Sequence, residues 1–445
     1  MPRVLQRATR TVERLVGAEV RPGEWHLVGL FFANLFLLLA AYYILKVIRE
    51  PLILLEGGAV ERSYARGLQA LLLLLLVPAY GLLANRFEPA KLVKWIMGVF
   101  VLCVGVFVFL GQLGVHVGFA FFVWLGIFST VAIAQFWSLA TDVMTEAEGK
   151  RLFPMVAAGG TLGGIFGAQI AARLIDGHPH QLMLVAASIL VSCALLTHIT
   201  YGAAAAHRVR VPDGPPKERD RRGGFSLVLQ DRYLLLIALS VLLLNFVNTT
   251  GDFVLAQLVN AKAHTLPYAE RQHYIAAFYG DFQTFISVLT SVVQILVVAR
   301  AFKLIGIGSS LLFLPVFALV GYATSALLPL LGLVATVKVV ENSTDYSLQN
   351  TVQQALFLST SRDAKYKAKA AIDTLFVRLG DLGSTAVVFV GALLGFSVAH
   401  YALLNVVMSA AWVVVAVRLR KATLASKPEP PRTGPAANEV VARQA

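Results

Sequence analysis

The stretch "WHLVGLFFANLFLLLAAYYIL", residues 25–45, contains no aspartate, glutamate, lysine or arginine. A helix of about 20 apolar residues is long enough to cross the hydrocarbon core of a bilayer. Comparable uncharged runs occupy residues 67–85, 95–115 and 118–141, in a chain that is 57% hydrophobic and 14% charged. None of these runs alternates polar and apolar residues as the strands of a membrane β-barrel do. The sequence therefore predicts an all-α polytopic membrane protein.

Hydropathy along the whole chain predicts twelve transmembrane helices. They lie near residues 25–47, 64–85, 92–114, 118–141, 153–175, 181–205, 232–258, 273–299, 305–327, 329–350, 370–396 and 398–419. The polar stretch "HRVRVPDGPPKERDRRGG", residues 207–224, has no apolar face and separates six spans from six. The predicted organisation is an amphipathic segment (1–24), a six-helix half (25–206), a basic linker (207–226), a second six-helix half (227–421) and a disordered tail (422–445).

The formal net charge of +13 has two interpretations. In a soluble protein it suggests a nucleic-acid partner. Here most of the basic residues fall on one side of the predicted spans, as the positive-inside rule requires of cytoplasmic loops. We therefore expect both termini in the cytoplasm, membrane lipids as partners and no nucleic acid. In this topology Arg49, Arg62 and Arg66 belong to outer loops.

A weak internal repeat relates the two predicted halves. Gln69 and Gln283 each lie seventeen residues before a basic residue at the expected cytoplasmic end of a span, Arg86 and Arg300 respectively. Secondary transporters built from two repeated halves bind substrate near the interface of the halves. The repeat therefore favours a site between residues of both halves.

The glycine-rich stretch "MVAAGGTLGGIFGAQ", residues 155–169, has two possible roles. A phosphate-binding loop would need a GxxxxGK[ST] signature between a strand and a helix, and this stretch lacks it. Gly159, Gly163 and Gly167 instead repeat at intervals of four, which lets two membrane helices approach closely. We predict a helix-packing surface.

No Ser/His/Asp grouping, metal-ligand spacing or ATPase motif is present in the sequence. We therefore expect no enzymatic activity, no metal and no cofactor, and any transport should be driven by a gradient or by exchange.

Polar residues at membrane depth are the informative ones, because each costs free energy unless it is paired or hydrated. The predicted span containing "VATVKVVENSTDYSLQNTVQQ", residues 334–354, has a polar stripe at intervals of three and four. Such a stripe fits a water-filled cavity, or charge pairs such as Lys338 with Glu341 that only hold helices together. The candidate coupling or gating residues are Asp142, Asp252, Asp281, Lys338, Glu341, Asp345, Asp373, Arg378 and Asp381.

The first span ends in "KVIREPLILLEGG", residues 46–58, where Lys46, Arg49 and Glu50 precede Pro51. These charges are compatible with an ordinary helix end at the membrane surface and equally with a binding site. Lys46 and Arg49 are three residues apart and share one face of a helix.

Three segments resemble the ATP/ADP translocases, the nucleotide transporters of plastids and intracellular bacteria. They are "RDAKYKAKAAIDTLFVRLGDLGS" (362–384), "FWSLATDVMTEAEGKRLFPMVAAGG" (136–160) and "ILKVIREPL" (44–52). The resemblance implies twelve spans in a major-facilitator-like arrangement, and it places Lys46 and Arg49 on two basic positions of the family.

Two positions depart from the pattern of the family. Asp381 stands where the family has a lysine in L-G-K-S-G, and Asn248 stands at a family glutamate, with Asp252 near the lysine that follows it. An anion in place of a cation opposes binding of a polyphosphate. The sequence therefore resembles that of a free-living bacterial member of the family whose substrate has changed, which implies a bacterial inner membrane.

The favoured hypothesis is a secondary transporter of an anionic, phosphate-containing solute such as a nucleotide, by exchange or proton coupling. Lys46 and Arg49 would hold the anion. Neutral hydrogen bonds would come from Gln69, Asn245, Asn248, Gln283 and Gln349. A lipid-linked or other organic anion, and a membrane scaffold that transports nothing, are the alternatives.

Overall fold

A computed structural model describes residues 21, 24–84, 89–175, 179–208, 224–357, 360 and 367–425. That part of the chain is helical and contains no strand. The predicted amphipathic segment, most of the basic linker and most of the tail lie outside the described residues. The first half consists of α1 (Trp25–Glu56), α2 (Gly58–Ala84), α3 (Pro89–Gln112), α4 (Gly118–Val143), α5 (Glu146–Leu174) and α6 (Pro179–Arg208).

A short helix, α7 (Gly224–Gln230), precedes the second half. The second half begins with α8 (Arg232–His264), α9 (Tyr268–Leu296, continued by Val298–Leu304) and α10 (Gly306–Ser310 and Phe313–Leu327). It ends with α11 (Leu331–Thr344, a π-helical turn Asp345–Gln349, and Asn350–Leu356), α12 (Lys369–Ala371, a π-helical turn Ile372–Phe376, and Val377–Leu393) and α13 (Val398–Ala425).

Ten helices of the described part are long and apolar enough to cross a membrane. The expected spans near 64–85 and 329–350 are not among these ten. The second of them is polar, and its α-helix is divided by the π-helical turn of α11. The all-α membrane fold is thus confirmed, and the count of twelve spans stays a prediction.

The ends of α1 and α2 differ from the sequence-based boundaries. Both helices are longer than predicted and meet at Gly57, so that Arg49, Arg62 and Arg66 lie within helices. The prediction that these arginines occupy outer loops was therefore wrong. It failed because a hydropathy window ends a span at the first charges, whereas these charges continue the helix and are buried or half-buried.

Close packing of α1 against α5 organises the first half. A Cβ atom on Gly159, Gly163 or Gly167 would lie 2.2–2.5 Å from a backbone carbonyl oxygen of α1, at Phe32, Phe36 and Ala40 respectively. Only glycine permits this approach. The predicted helix-packing role of the glycine stretch is confirmed.

At the interface of the halves, the second helix of each half packs against the fifth helix of the other: α2 contacts α12, and α5 contacts α9. We call the end of the bundle at Trp25 the inner end and the end at Glu56 the outer end. At the outer end, Ile53, Phe122, Val259 and Tyr279 belong to one buried apolar cluster that joins both halves. At the inner end, the buried apolar residues Val228, Leu234 and Leu419 belong to a cluster of the second half alone.

The α1–α5 contact makes a quantitative prediction. Gly163→Ala should reduce the free energy of unfolding by about 1–3 kcal/mol, because the added methyl group overpacks against Phe36. Gly105→Ala in α3 is the control, since nothing lies within 4 Å of a Cβ at that position. Melting temperatures in detergent measure the difference, and equal melting temperatures would contradict the packing role.

Candidate functional site

A cavity of about 200 Å³ lies between the two halves. Its walls come from α1, α2 and α4 of the first half and from α8, α9 and α11 of the second. The lining residues are Tyr42, Lys46, Arg49, Glu50, Arg62, Arg66, Gln69, Phe122, Gly126, Ser129, Asn248, Asp252, Leu255, Tyr279, Phe282, Gln283, Asn342 and Tyr346. Polar and aromatic side chains from both halves therefore converge on one space.

Lys46 is the cation of this cavity with the fewest charged partners. Its Nζ donates a hydrogen bond to Oε1 of Gln283 over 2.8 Å. The same atom lies 5.1 Å from the ring centre of Tyr43 and 5.9 Å from that of Tyr42, close enough for cation–π attraction. Among the described residues, no carboxylate lies within 4 Å of Lys46. A half-buried ammonium group without a carboxylate partner attracts an anion.

Glu50 binds two guanidinium groups at once. Its Oε1 accepts from Arg49 over 2.6 Å, and its Oε2 accepts from Arg62 over 2.6 Å. All three side chains are buried. The Arg49 guanidinium also stacks on Phe122, 4.0 Å from the ring centre. One carboxylate thus neutralises part of the charge of two arginines, and the group keeps a net positive charge.

Arg66 connects the two halves. From α2 it donates to Asp252 of α8 over 3.1 Å, and it lies 3.6 Å from Asp381 of α12. Asp381 also pairs with Arg378 over 3.3 Å and accepts a hydrogen bond from Thr249. The two ion pairs of Arg66 cross the interface between the halves.

A second cluster of charged side chains contacts Asp252 but does not line the cavity. Lys338 is fully buried, donates to Oδ1 of Asn248 over 2.7 Å, and lies 3.1 Å from Asp252 and 3.2 Å from Glu341. The Tyr322 hydroxyl donates to Oε2 of Glu341 over 2.5 Å. The other oxygen of Glu341 has no hydrogen-bond partner among the described residues. The ion pairs among Lys338, Asp252 and Glu341 hold these side chains in place.

The cavity gathers part of the predicted set. Six predicted residues line it: Lys46, Arg49, Gln69, Asn248, Asp252 and Gln283. Two predicted amides lie elsewhere. The Asn245 side chain donates to the Val241 carbonyl of its own helix, and the Gln349 amide is buried in the π-helical turn of α11 without a described partner. The role of each residue remains a prediction.

The other predicted coupling residues divide into three groups. The ion pairs described above contain Lys338, Glu341, Arg378 and Asp381, and they include the Lys338–Glu341 pair that the sequence suggested. Asp281 and Asp373 are exposed; Asp281 accepts from Gln169, and Asp373 pairs with Lys369 over 2.6 Å. Asp345 lies in the π-helical turn with no described cation within 4 Å, and the side chain of Asp142 is outside the described residues.

Sequence reasoning missed Arg62 and Arg66 as site residues. A signal was present, because Arg62, Arg66 and Gln69 follow at intervals of four and three and so share one helical face. Gln69 and Gln283, the paired glutamines of the repeat, both line the cavity.

A second groove adjoins the site. A groove between α1, α4, α5 and α9 is lined by Leu35, Trp137 and Ser291, and it shares Gln283 and Tyr346 with the cavity. The outer end is closed by the apolar cluster that joins the halves. The structure is therefore that of a two-half bundle packed shut at its outer end.

Comparison with known proteins extends these observations. Residues 317–427, about a quarter of the chain, match the family model described as TLC ATP/ADP transporter. The chain is 23% identical over 350 residues to ADP,ATP carrier protein 1 of Chlamydia trachomatis serovar D, across 67% of this chain and 63% of that protein. The chain thus spans less than two thirds of the length of this relative. The resemblance to the ATP/ADP translocase family is confirmed.

Several solved structures share the fold. A bacterial homologue of the iron transporter ferroportin in its inward-facing state superposes with a TM-score of 0.65 at 12% identity, over 89% of this chain and 98% of that one. The nucleoside transporter NupG gives 0.61 at 14% identity, over 91% and 100%. A bacterial homolog of the human lysosomal transporter Spinster, inward-facing and unoccupied, gives 0.59 at 12% identity, over 93% and 100%. The chain therefore shares the helical fold of these three transporters.

The Glu50 cluster makes a prediction about stability. Glu50→Gln should destabilise the protein by about 3–5 kcal/mol, because two buried guanidinium groups would lose their shared carboxylate. Glu61→Gln is the matched control, since that side chain is exposed on α2. Thermal unfolding in detergent measures both variants. An unchanged melting temperature for Glu50→Gln would show that the cluster does not stabilise the fold.

Proposed function

We propose that this protein is a secondary active transporter of an anionic, phosphate-containing solute, working by alternating access at the cavity between its halves. The observation that carries the proposal is Lys46, a half-buried cation facing a cavity between the two halves without a described carboxylate partner. If the charged residues served only to hold helices together, none of the cations would need to lack a carboxylate partner. The fold and the confirmed family resemblance support the same class.

A nucleotide is a natural member of this substrate class. The relative from Chlamydia trachomatis is named an ADP,ATP carrier, and NupG a nucleoside transporter. The cavity offers the aromatic side chains Tyr42, Phe282 and Tyr346 beside its cations. Aromatic faces stack on nucleobases while cations hold phosphate. Gln69, Asn248 and Gln283 would supply neutral hydrogen bonds.

The ion pairs across the interface suit alternating access. Arg66 must leave Asp252 and Asp381 if α2 moves away from α8 and α12 to open the outer end. A bound anion that competes for Arg66 would favour that opening. Glu341, Asp345 and Asp381 are the proposed groups for proton coupling or gating. Both termini would face the cytoplasm from a bacterial inner membrane.

One observation favours a second candidate, transport of a lipid-linked anion. A groove on the side of the bundle between α9 and α11 is lined by Phe278, Phe282 and Phe285. Phe282 also lines the central cavity, so a single aromatic residue lies at both spaces. An acyl chain in the groove would place a charged head group towards the cavity.

Uptake into proteoliposomes tests the proposal. Labelled AMP, ADP, ATP and inorganic phosphate are offered to vesicles that are empty, preloaded with unlabelled substrate, or energised by a proton gradient. We expect saturable uptake of at least one of them, and a loss of about tenfold or more in Lys46→Gln, because the anion loses its charge-assisted partner. Lys262→Gln is the control, since Lys262 is exposed at the end of α8.

The other outcomes separate the alternatives. Uptake of none of these solutes, together with transfer of a fluorescent lysophosphatidate between leaflets, would favour the lipid-linked anion. No transport of either kind, with unchanged function of Lys46→Gln in cells, would leave a scaffold protein and contradict the proposal.

A further inference from the structure

We propose that the cavity is matched to a substrate group with two negative charges, a phosphate monoester dianion, in preference to the polyphosphate chain of ADP or ATP. This inference rests on the proposed function and deepens it by naming the charge of the substrate. It includes nucleoside monophosphates, inorganic phosphate and phosphomonoester lipids, which share the same head-group chemistry.

The charges that line the cavity have a simple balance. Four cations face it, from Lys46, Arg49, Arg62 and Arg66, against the two carboxylates of Glu50 and Asp252. The excess is two positive charges. A phosphate monoester carries about 1.5–2 negative charges near neutral pH.

The charges in direct contact with this lining do not alter the excess. Lys338 touches Asp252, and Glu341 neutralises Lys338. Asp381 lies beside Arg66, and Arg378 neutralises Asp381. Each of these two pairs contains one positive and one negative charge, so the excess remains two positive charges. Asp345, which is not part of the lining, pairs with no described cation within 4 Å.

The two excess charges also lie close together. One is Lys46, whose described partners are an amide and aromatic rings. The other belongs to the cluster in which Glu50 is shared by Arg49 and Arg62. Lys46 and Arg49 are three residues apart on α1, a rise of about 4.5 Å along the helix. A single phosphate group is small enough to contact both, with the guanidinium offering paired donors and the ammonium a point charge.

Further phosphate groups would meet carboxylates. Across the cavity from α1, Arg66 is occupied by Asp252 and Asp381, so this side offers no excess positive charge. A second or third phosphoryl group would add negative charge near Asp252 without a matching cation. Like charges in a poorly hydrated cavity repel strongly. The second side of the site therefore selects against a polyphosphate.

Binding to the detergent-solubilised, full-length protein tests this charge preference. Isothermal titration compares AMP, ADP and ATP in the presence of EDTA, so that no magnesium masks the phosphate charges. We expect AMP to bind at least about tenfold more tightly than ATP, a difference of about 1.4 kcal/mol. Inorganic phosphate and lysophosphatidate, measured in the same way, identify whether the dianion comes from a free solute, a nucleotide or a lipid.

The outcomes distinguish this inference from the proposed function. Affinity that rises from AMP through ADP to ATP, with uptake still observed in proteoliposomes, would overturn the charge match alone. Absence of binding and of uptake for every phosphate compound would overturn both.

A charge variant gives an independent reading. Asp252→Asn raises the excess in the lining to three, and the ratio of ADP affinity to AMP affinity should rise by about tenfold. Gln69→Lys makes the same change of charge without breaking an ion pair, and it replaces Asp252→Asn if that variant does not fold. Glu270→Gln, which removes an exposed carboxylate of α9 that does not line the cavity, should leave the ratio unchanged. An unchanged ratio in the cavity variants would contradict the proposal.

Discussion

The constraint on which this structure depends is that a charge buried at membrane depth must have a partner. Glu50 is the partner of Arg49 and Arg62, and Asp252 is the partner of Arg66 and Lys338. The arrangement of α1, α2, α8 and α11 follows, because each of these helices brings a charge that another must neutralise. A charge left in the apolar phase would cost several kcal/mol. Pairing therefore fixes which faces of these helices turn inward.

The same constraint explains how much of the molecule could be predicted from the sequence. The apolar runs and the glycine spacing predicted helices and the close contact of α1 with α5, because both depend on local composition. The boundaries of α1 and α2 could not be predicted in this way. Arg62 is a poor membrane residue by itself, and its burial becomes acceptable only through Glu50, twelve residues earlier on another helix. Such a pair is a property of the fold.

The candidate site also has one part that the sequence predicts and another part that only the fold shows. Lys46, Gln69 and Gln283 were predictable, since a family-like motif and an internal repeat mark them in the sequence. The pairing of Arg66 with Asp252 and Asp381 was not, because it joins residues far apart in the chain and across two halves. Lys338, Glu341 and Gln349 of the polar stripe of α11 are buried. Its Lys338 and Glu341 nevertheless pair with each other, so the stripe alone did not show which charges reach the cavity.

The aspartate at position 381 gains a physical meaning from this geometry. A lysine there, as in the translocase pattern, would stand beside Arg66 and Arg378 and would add positive charge next to the cavity. The aspartate instead lies 3.6 Å from Arg66 and 3.3 Å from Arg378, so it reduces the positive charge on that side. The cations of α1 are unaffected by this change, because Glu50 and Gln283 are their partners. Under the proposed charge match, an aspartate at this position lowers the charge of the substrate that fits, while Lys46 and Arg49 of the first helix keep their described partners.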